Sequence, residues 1–195
     1  MERRYHNGDE LFHNDHFYQD FSVSDFWHFA FGDLLDNTYR GHLAEFIVSK
    51  ALDLDTSTPR EDWSEYDLSY NGYRIEIKSS SFIQSWNLNN ERYSRVSFSV
   101  SPSRKFDSIA GSYPGDKKRH SDFYIFCLYS ERDKTNYDIL DLSKWQFFIL
   151  PTASLNEHCN QNTVSFSTLE RLKAVKCSYS DIKFTLDKLI EDNAK

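Results

Sequence analysis

Tyr66-Asp67-Leu68-Ser69-Tyr70-Asn71-Gly72-Tyr73-Arg74-Ile75-Glu76-Ile77-Lys78 alternates apolar and polar residues on either side of one Asn-Gly pair. A period of two is the pattern of a half-buried strand. Asn-Gly between two such runs favours a two-residue type I′ turn, because both residues tolerate positive φ. With Asn71 and Gly72 as the loop, Tyr70 pairs with Tyr73, Ser69 with Arg74, Leu68 with Ile75 and Asp67 with Glu76. The apolar side chains then share one face, and Asp67, Glu76 and Lys78 share the other. Carboxylates directly opposite each other on a sheet, with Cβ atoms about 4.5–5.5 Å apart, repel. A bound cation removes that penalty, and magnesium takes carboxylate oxygens from one or two side chains, completing its shell with water and substrate phosphate. On its own, Lys78 reads as a sheet-edge cation paired with Glu65, its neighbour in the same register. Arg74 either neutralises the carboxylates or contacts phosphate.

Upstream, Leu43, Ala44, Ile47, Val48, Ala51 and Leu54 follow the spacing of a buried helical stripe, which predicts a helix over Arg40 to Leu54. Glu45 is the one charge in the run Leu43-Ala44-Glu45-Phe46-Ile47-Val48. A carboxylate amid that much apolar surface is costly unless paired or metal-bound, or unless it sits at the wet edge of the stripe. Downstream, Ser94 to Ser101 alternates as a third strand, and Phe123 to Tyr129 is a continuous apolar run that fits a central strand covered on both faces. Tyr137 to Leu142 and Trp145 to Leu150 predict further strands, and helical patterns run through Thr168 to Ile190. Between the third and the central strand, residues 103–120 carry Arg104, Lys105, Lys117, Lys118 and Arg119 around Gly111 and Pro114-Gly115, a basic loop.

The chain has 195 residues and a formal net charge of −7, from 23 Lys and Arg against 30 Asp and Glu. That length suits one compact domain over residues 39–195, preceded by an N-terminal helical extension over residues 1–38 that is rich in His and aromatic residues. His13 and His16 in that extension read as part of a solvated face rather than as a metal site. Charge of this sign excludes a broad basic surface that tracks nucleic acid, so such a partner must be met through a local patch. Cys127, Cys159 and Cys177 are odd in number and widely spaced, and read as free thiols. No apolar run approaches the roughly 20 residues of a membrane span, and the first residues lack the apolar core of a secretory signal, so the expected compartment is the cytoplasm, with no membrane partner.

A helix with Glu45, a strand with Asp67, a strand with Glu76-Ile77-Lys78, then a further strand and an apolar central strand resemble the PD-(D/E)XK nuclease superfamily. The resemblance covers about Arg40 to Tyr129. It implies an α/β fold: a restriction-endonuclease-like mixed β-sheet core flanked by helices. It also implies a magnesium- or manganese-dependent nuclease acting on DNA. Asp67, Glu76 and the Ile77 carbonyl would hold the metal, Glu45 would bind a second ion or a metal water, and Lys78 would orient water and stabilise charge on the phosphate. Enzymes similar to the RecB-like and lambda-exonuclease-like branches place a Gln shortly after the Lys, which here is Gln84. The superfamily's proline is replaced, since Tyr66 precedes Asp67. Arg92, Arg95, Lys117, Lys118 and Arg119 form the expected DNA-binding patch. Expected partners are DNA and, in a homodimer, a second copy of the chain. The alternative is a nuclease-like module that binds nucleic acid or a protein without cutting.

Overall fold

The computed structural model describes residues 4–60, 64–104, 112, 115–159 and 161–193. In chain order the elements are β1 (Leu11–Asn14), β2 (Phe17–Ser22), α1 (Val23–Phe31), α2 (Asn37–Ala51), β3 (Leu68–Tyr70), β4 (Tyr73–Ser81) and β5 (Ser97–Ser99). They continue with β6 (Phe123–Tyr129), β7 (Trp145–Pro151), α3 (Thr152–His158), β8 (Thr163–Ser165), α4 (Phe166–Arg171), β9 (Val175–Cys177) and α5 (Ile182–Asn193).

A five-stranded mixed sheet in the order β3-β4-β6-β7-β9 forms the centre. β4 and β6 run parallel, and each of the other neighbouring pairs is antiparallel. All seven residues of β6 are buried, as a continuous apolar run requires. On one face Ile75, Ile77, Ile125 and Ile149 pack with Ala44, Ile47 and Val48 of α2 and Ile182 and Leu186 of α5. On the other, Tyr124, Phe126, Leu128 and Phe148 pack with Phe98, Leu155, Val164 and Leu169. Wholly buried rings such as Phe126 each stabilise the fold by roughly 2–3 kcal/mol. The chain is therefore an α/β protein with a mixed sheet flanked by helices.

Three expectations need correction. The N-terminal segment is not helical throughout: it opens with the β1-β2 hairpin, turning at Asp15 with φ 52°, and only then enters α1, none of whose residues is buried. Tyr137 to Leu142 forms no strand, because the Asp138 and Asp141 carboxylates accept the Leu140 and Ser143 N–H groups and hold the segment in turns. The helical tail is interrupted by β9, which edges the sheet beside β7. Among the described residues no helix is long and apolar enough to cross a membrane, and the three cysteines are free thiols.

Candidate active site

The hairpin forms in the expected register: Tyr70 opposite Tyr73, Ser69 opposite Arg74, Leu68 opposite Ile75. Asn71 (φ 50°) and Gly72 (φ 82°) both take positive φ, as a type I′ turn demands. Asp67 stands just past the last ladder pair. Its N–H donates to the Ile75 carbonyl (3.1 Å), and its Oδ2 accepts the Ile77 N–H (2.6 Å). A side chain thus satisfies the β4 backbone where β3 ends, which aims the Asp67 carboxylate at β4 beside Glu76.

Glu76 is held at both oxygens: Lys78 Nζ lies 2.5 Å from Oε1, and Ser121 Oγ donates to Oε2 at 3.0 Å. Lys78 therefore pairs with Glu76 rather than with Glu65, whose Oε2 is 3.4 Å from His120 Nδ1. Burial, and next the negative charge of Glu76, push the Asp67 carboxyl up to about 6, against the opposing pull of Lys78 and the Ile77 N–H. The Glu45 charge adds to the rise.

Glu45 and Asp67 line one cleft of about 470 Å³ beside α2. Within it Arg60 grips Glu45, with Nε to Oε2 at 2.7 Å and Nη2 to Oε1 at 3.3 Å. The isolated charge in the apolar run is thus ion-paired on the cleft wall. Among the described residues, no three His, Cys, Asp or Glu side chains converge as a metal cluster. Asp67 and Glu76 are close enough for the Glu76 charge to raise the Asp67 carboxyl. Arg74 does not face them: its guanidinium forks onto Asp122, with Nε to Oδ2 at 3.0 Å and Nη2 to Oδ1 at 2.6 Å.

Gln84 lies apart from the carboxylates. Its Oε1 accepts from Arg40 Nη1 at 2.6 Å, and Arg40 is a functional candidate that the helical periodicity passed over as a helix start. The signal was present, since Arg40 precedes Ala44, Ile47 and Val48 by four, seven and eight positions and so shares their buried stripe. It is 2% exposed.

The expected basic patch divides. Lys117 and Lys118 are exposed, as are Arg92 and Arg95. Arg119 is the exception, because its guanidinium donates to the Val100 carbonyl (2.8 Å), the Asn156 Oδ1 (2.9 Å) and the Cys159 carbonyl (3.4 Å). Its fork ties the second core together instead of facing outward. Lys105, Gly111 and Pro114 of the basic loop lie outside the described residues.

No curated protein matches the chain. The family described as bacteriophage T4 endonuclease IV matches residues 30–168, a span that contains Arg40, Glu45, Asp67, Glu76, Lys78 and Gln84 and takes in every strand from β3 to β8. A match over more than two thirds of the chain, carrying the whole hairpin and the central strand, makes this protein a nuclease that belongs to the bacteriophage T4 endonuclease IV family.

Proposed function

We propose that the protein is a metal-dependent endonuclease of the PD-(D/E)XK type that hydrolyses DNA phosphodiester bonds at Asp67, Glu76 and Lys78. The observation that carries the reading is the adjacency of Asp67 and Glu76, with Asp67 driven up to about 6 by burial and its neighbour. The donor set fits a divalent ion: it offers two carboxylates, a small count of the kind magnesium accepts beside waters and phosphate, and a negative charge that one lysine only partly offsets. Asp67 and Glu76 would hold the ion together with the Ile77 carbonyl, and Glu45 would stand across the cleft toward a second ion or an ordered water. When bound, such an ion polarises the scissile phosphate and lowers the pKa of a water molecule.

The chain's own groups do the rest. The Ile77 N–H fixes one Asp67 oxygen and Ser121 fixes one Glu76 oxygen, so the two carboxylates are oriented in advance and only Lys78 has to move off Glu76 for a ligand to enter. Lys78, with 28% of its side chain exposed, can turn from Glu76 to donate to a phosphate oxygen as negative charge builds on the non-bridging oxygens, or to orient the attacking water. The water oxygen forms the new P–O bond as the P–O bond to the sugar breaks; the attacking water gives up one proton to solvent and the departing sugar oxygen takes one up, so the step balances.

Replacement of Asp67 or Lys78 by Ala is expected to lower DNA cleavage by purified protein by on the order of 100-fold or more, with the far-UV circular dichroism unchanged. Cleavage that survives both substitutions overturns the assignment. A chain that binds DNA and never cuts it, with any divalent metal, is instead a non-catalytic nuclease-like module.

A further inference from the structure

A second cleft, of about 450 Å³, opens between the start of α2 and the far half of β4. β3 pairs with only the first part of β4, so among the described residues the strand continues past Lys78 through Ser79 and Ser80 with no ladder partner on that edge, and the Ser97 N–H of β5 reaches it only through the Ser80 Oγ (3.3 Å). The nine lining residues include two arginines, Arg40 and Arg95, and no carboxylate. In a chain of net charge −7 that selection is marked.

Arg40 is the unusual member. Its guanidinium is buried, yet every hydrogen-bond partner is neutral: the Leu35 carbonyl (2.8 Å), Gln84 Oε1 (2.6 Å), Asn37 Oδ1 (2.6 Å) and Ser79 Oγ (3.2 Å). It makes no ion pair among the described residues. The closest acidic influence is Asp36, which caps α2 through the Thr38 N–H. A buried cation without a counter-charge is among the costlier features a fold can carry. Burial accordingly pulls the Arg40 guanidinium down to about 10. Four of its five N–H donors are occupied and one Nη2 hydrogen is left over. Around it stand the Ser79 and Ser80 hydroxyls and the exposed Arg95, and Trp86, 59% exposed, borders the cleft from the short turn Ser85–Asn87.

We infer that this cleft is a subsite for a neighbouring phosphodiester of the strand being cut, with Arg40 as its fixed counter-charge, Arg95 as an outer clamp and Trp86 as a stacking surface for the attached base. The inference rests on the nuclease reading for its ligand but uses other residues. A strand rises about 3.3 Å per residue, so Ser79 and Ser80 lie roughly 10–13 Å beyond Glu76, within reach of the same short stretch of polynucleotide. A phosphate supplies the charge that Arg40 lacks, fork and hydroxyl donors suit its oxygens, and an aromatic face takes any base. Gln84 is then a positioning residue that holds the Arg40 guanidinium.

The test is equilibrium binding of a short fluorescent single-stranded oligonucleotide in metal-free buffer across a salt series. Arg95→Ala and Trp86→Ala alter exposed residues and leave the fold intact. Each is expected to weaken binding roughly tenfold, and Arg95→Ala also to lower the salt slope by about 0.7. Arg40→Lys keeps the charge but loses the fork, and is expected to weaken binding with folding checked by its thermal melt. In an Asp67→Asn background, Arg95→Ala and Trp86→Ala should weaken binding by the same factors as in the wild type, so loss of cutting and loss of binding separate. If Arg95→Ala, Trp86→Ala and folded Arg40→Lys all bind with wild-type affinity and slope, or if the wild type binds no oligonucleotide, the subsite is overturned. If Asp67→Asn cuts, the catalytic reading fails while the binding data still decide the subsite.

Discussion

Asp67 sits where it does at a cost to the fold. Burial, and next the Glu76 charge, push its carboxyl up to about 6 from an ordinary 3.8, so the folded state holds this proton more tightly than the unfolded state does. Stability from this group is complete below the ordinary value and is lost as pH rises through about 6, a difference on the order of 3 kcal/mol. Asp67→Asn keeps an oxygen to accept the Ile77 N–H and removes the charge. In metal-free buffer at pH 7 it is expected to be more stable than the wild type by up to roughly 2–3 kcal/mol and to flatten the stability profile between about pH 4 and 6. Denaturant titrations across that range check this, and an Asn variant less stable at pH 7 contradicts it. The two unusual charges of α2 show what residue spacing can reveal. Glu45 stood out among apolar neighbours, but its partner Arg60 is fifteen positions away and no local pattern announces it. Arg40 lay on the buried stripe, yet its partners Ser79 and Gln84 come from the sheet and the loop after it.

Elements held by local chemistry were legible, and elements held by tertiary context were not. The β3-β4 register followed from two turn residues whose backbone preference is intrinsic, and β6 followed from an unbroken apolar run. β9 has three residues, too few to display a period, and exists because β7 offers it an edge. The β1-β2 hairpin turns at Asp15-His16 without the Asn-Gly signature and buries almost nothing. Two glycines test the conformational argument with opposite signs. At Gly72 (φ 82°) a Cβ meets no atom within 4 Å, so Gly72→Ala is expected to cost about 1 kcal/mol through backbone strain alone. At Gly41, inside α2, a Cβ is equally unopposed, and Gly41→Ala is expected to stabilise by about 0.5–1 kcal/mol. Urea midpoints moving in the same direction for both variants would contradict this explanation of the turn.

At the scale of the whole molecule, a net charge of −7 repels DNA at long range, so affinity must come from cations grouped near the cleft and must fall steeply with salt. Lys117→Ala with Lys118→Ala is expected to weaken DNA binding and to reduce the slope of log K against log salt by up to about 0.9 for each phosphate that the two lysines neutralise. Arg119→Ala is expected instead to lower thermal stability, because the part-buried Val100 and Cys159 carbonyls lose their donor. A lowered salt slope with an unchanged melt for Arg119→Ala would reverse that division. Composition carries the sign of the charge but not which basic residues face solvent, since that depends on α3 and the loop after β5 meeting across the second core. The central claim, that Asp67 and its neighbours form a metal-dependent cutting site, is tested most directly by incubating closed circular single-stranded DNA with purified protein, first in EDTA and then with magnesium in excess. Intact circles are expected in EDTA, linear product once magnesium is restored to the wild type, and none with Asp67→Asn under either condition. Linear product in EDTA, or wild-type cutting by Asp67→Asn, would contradict the claim.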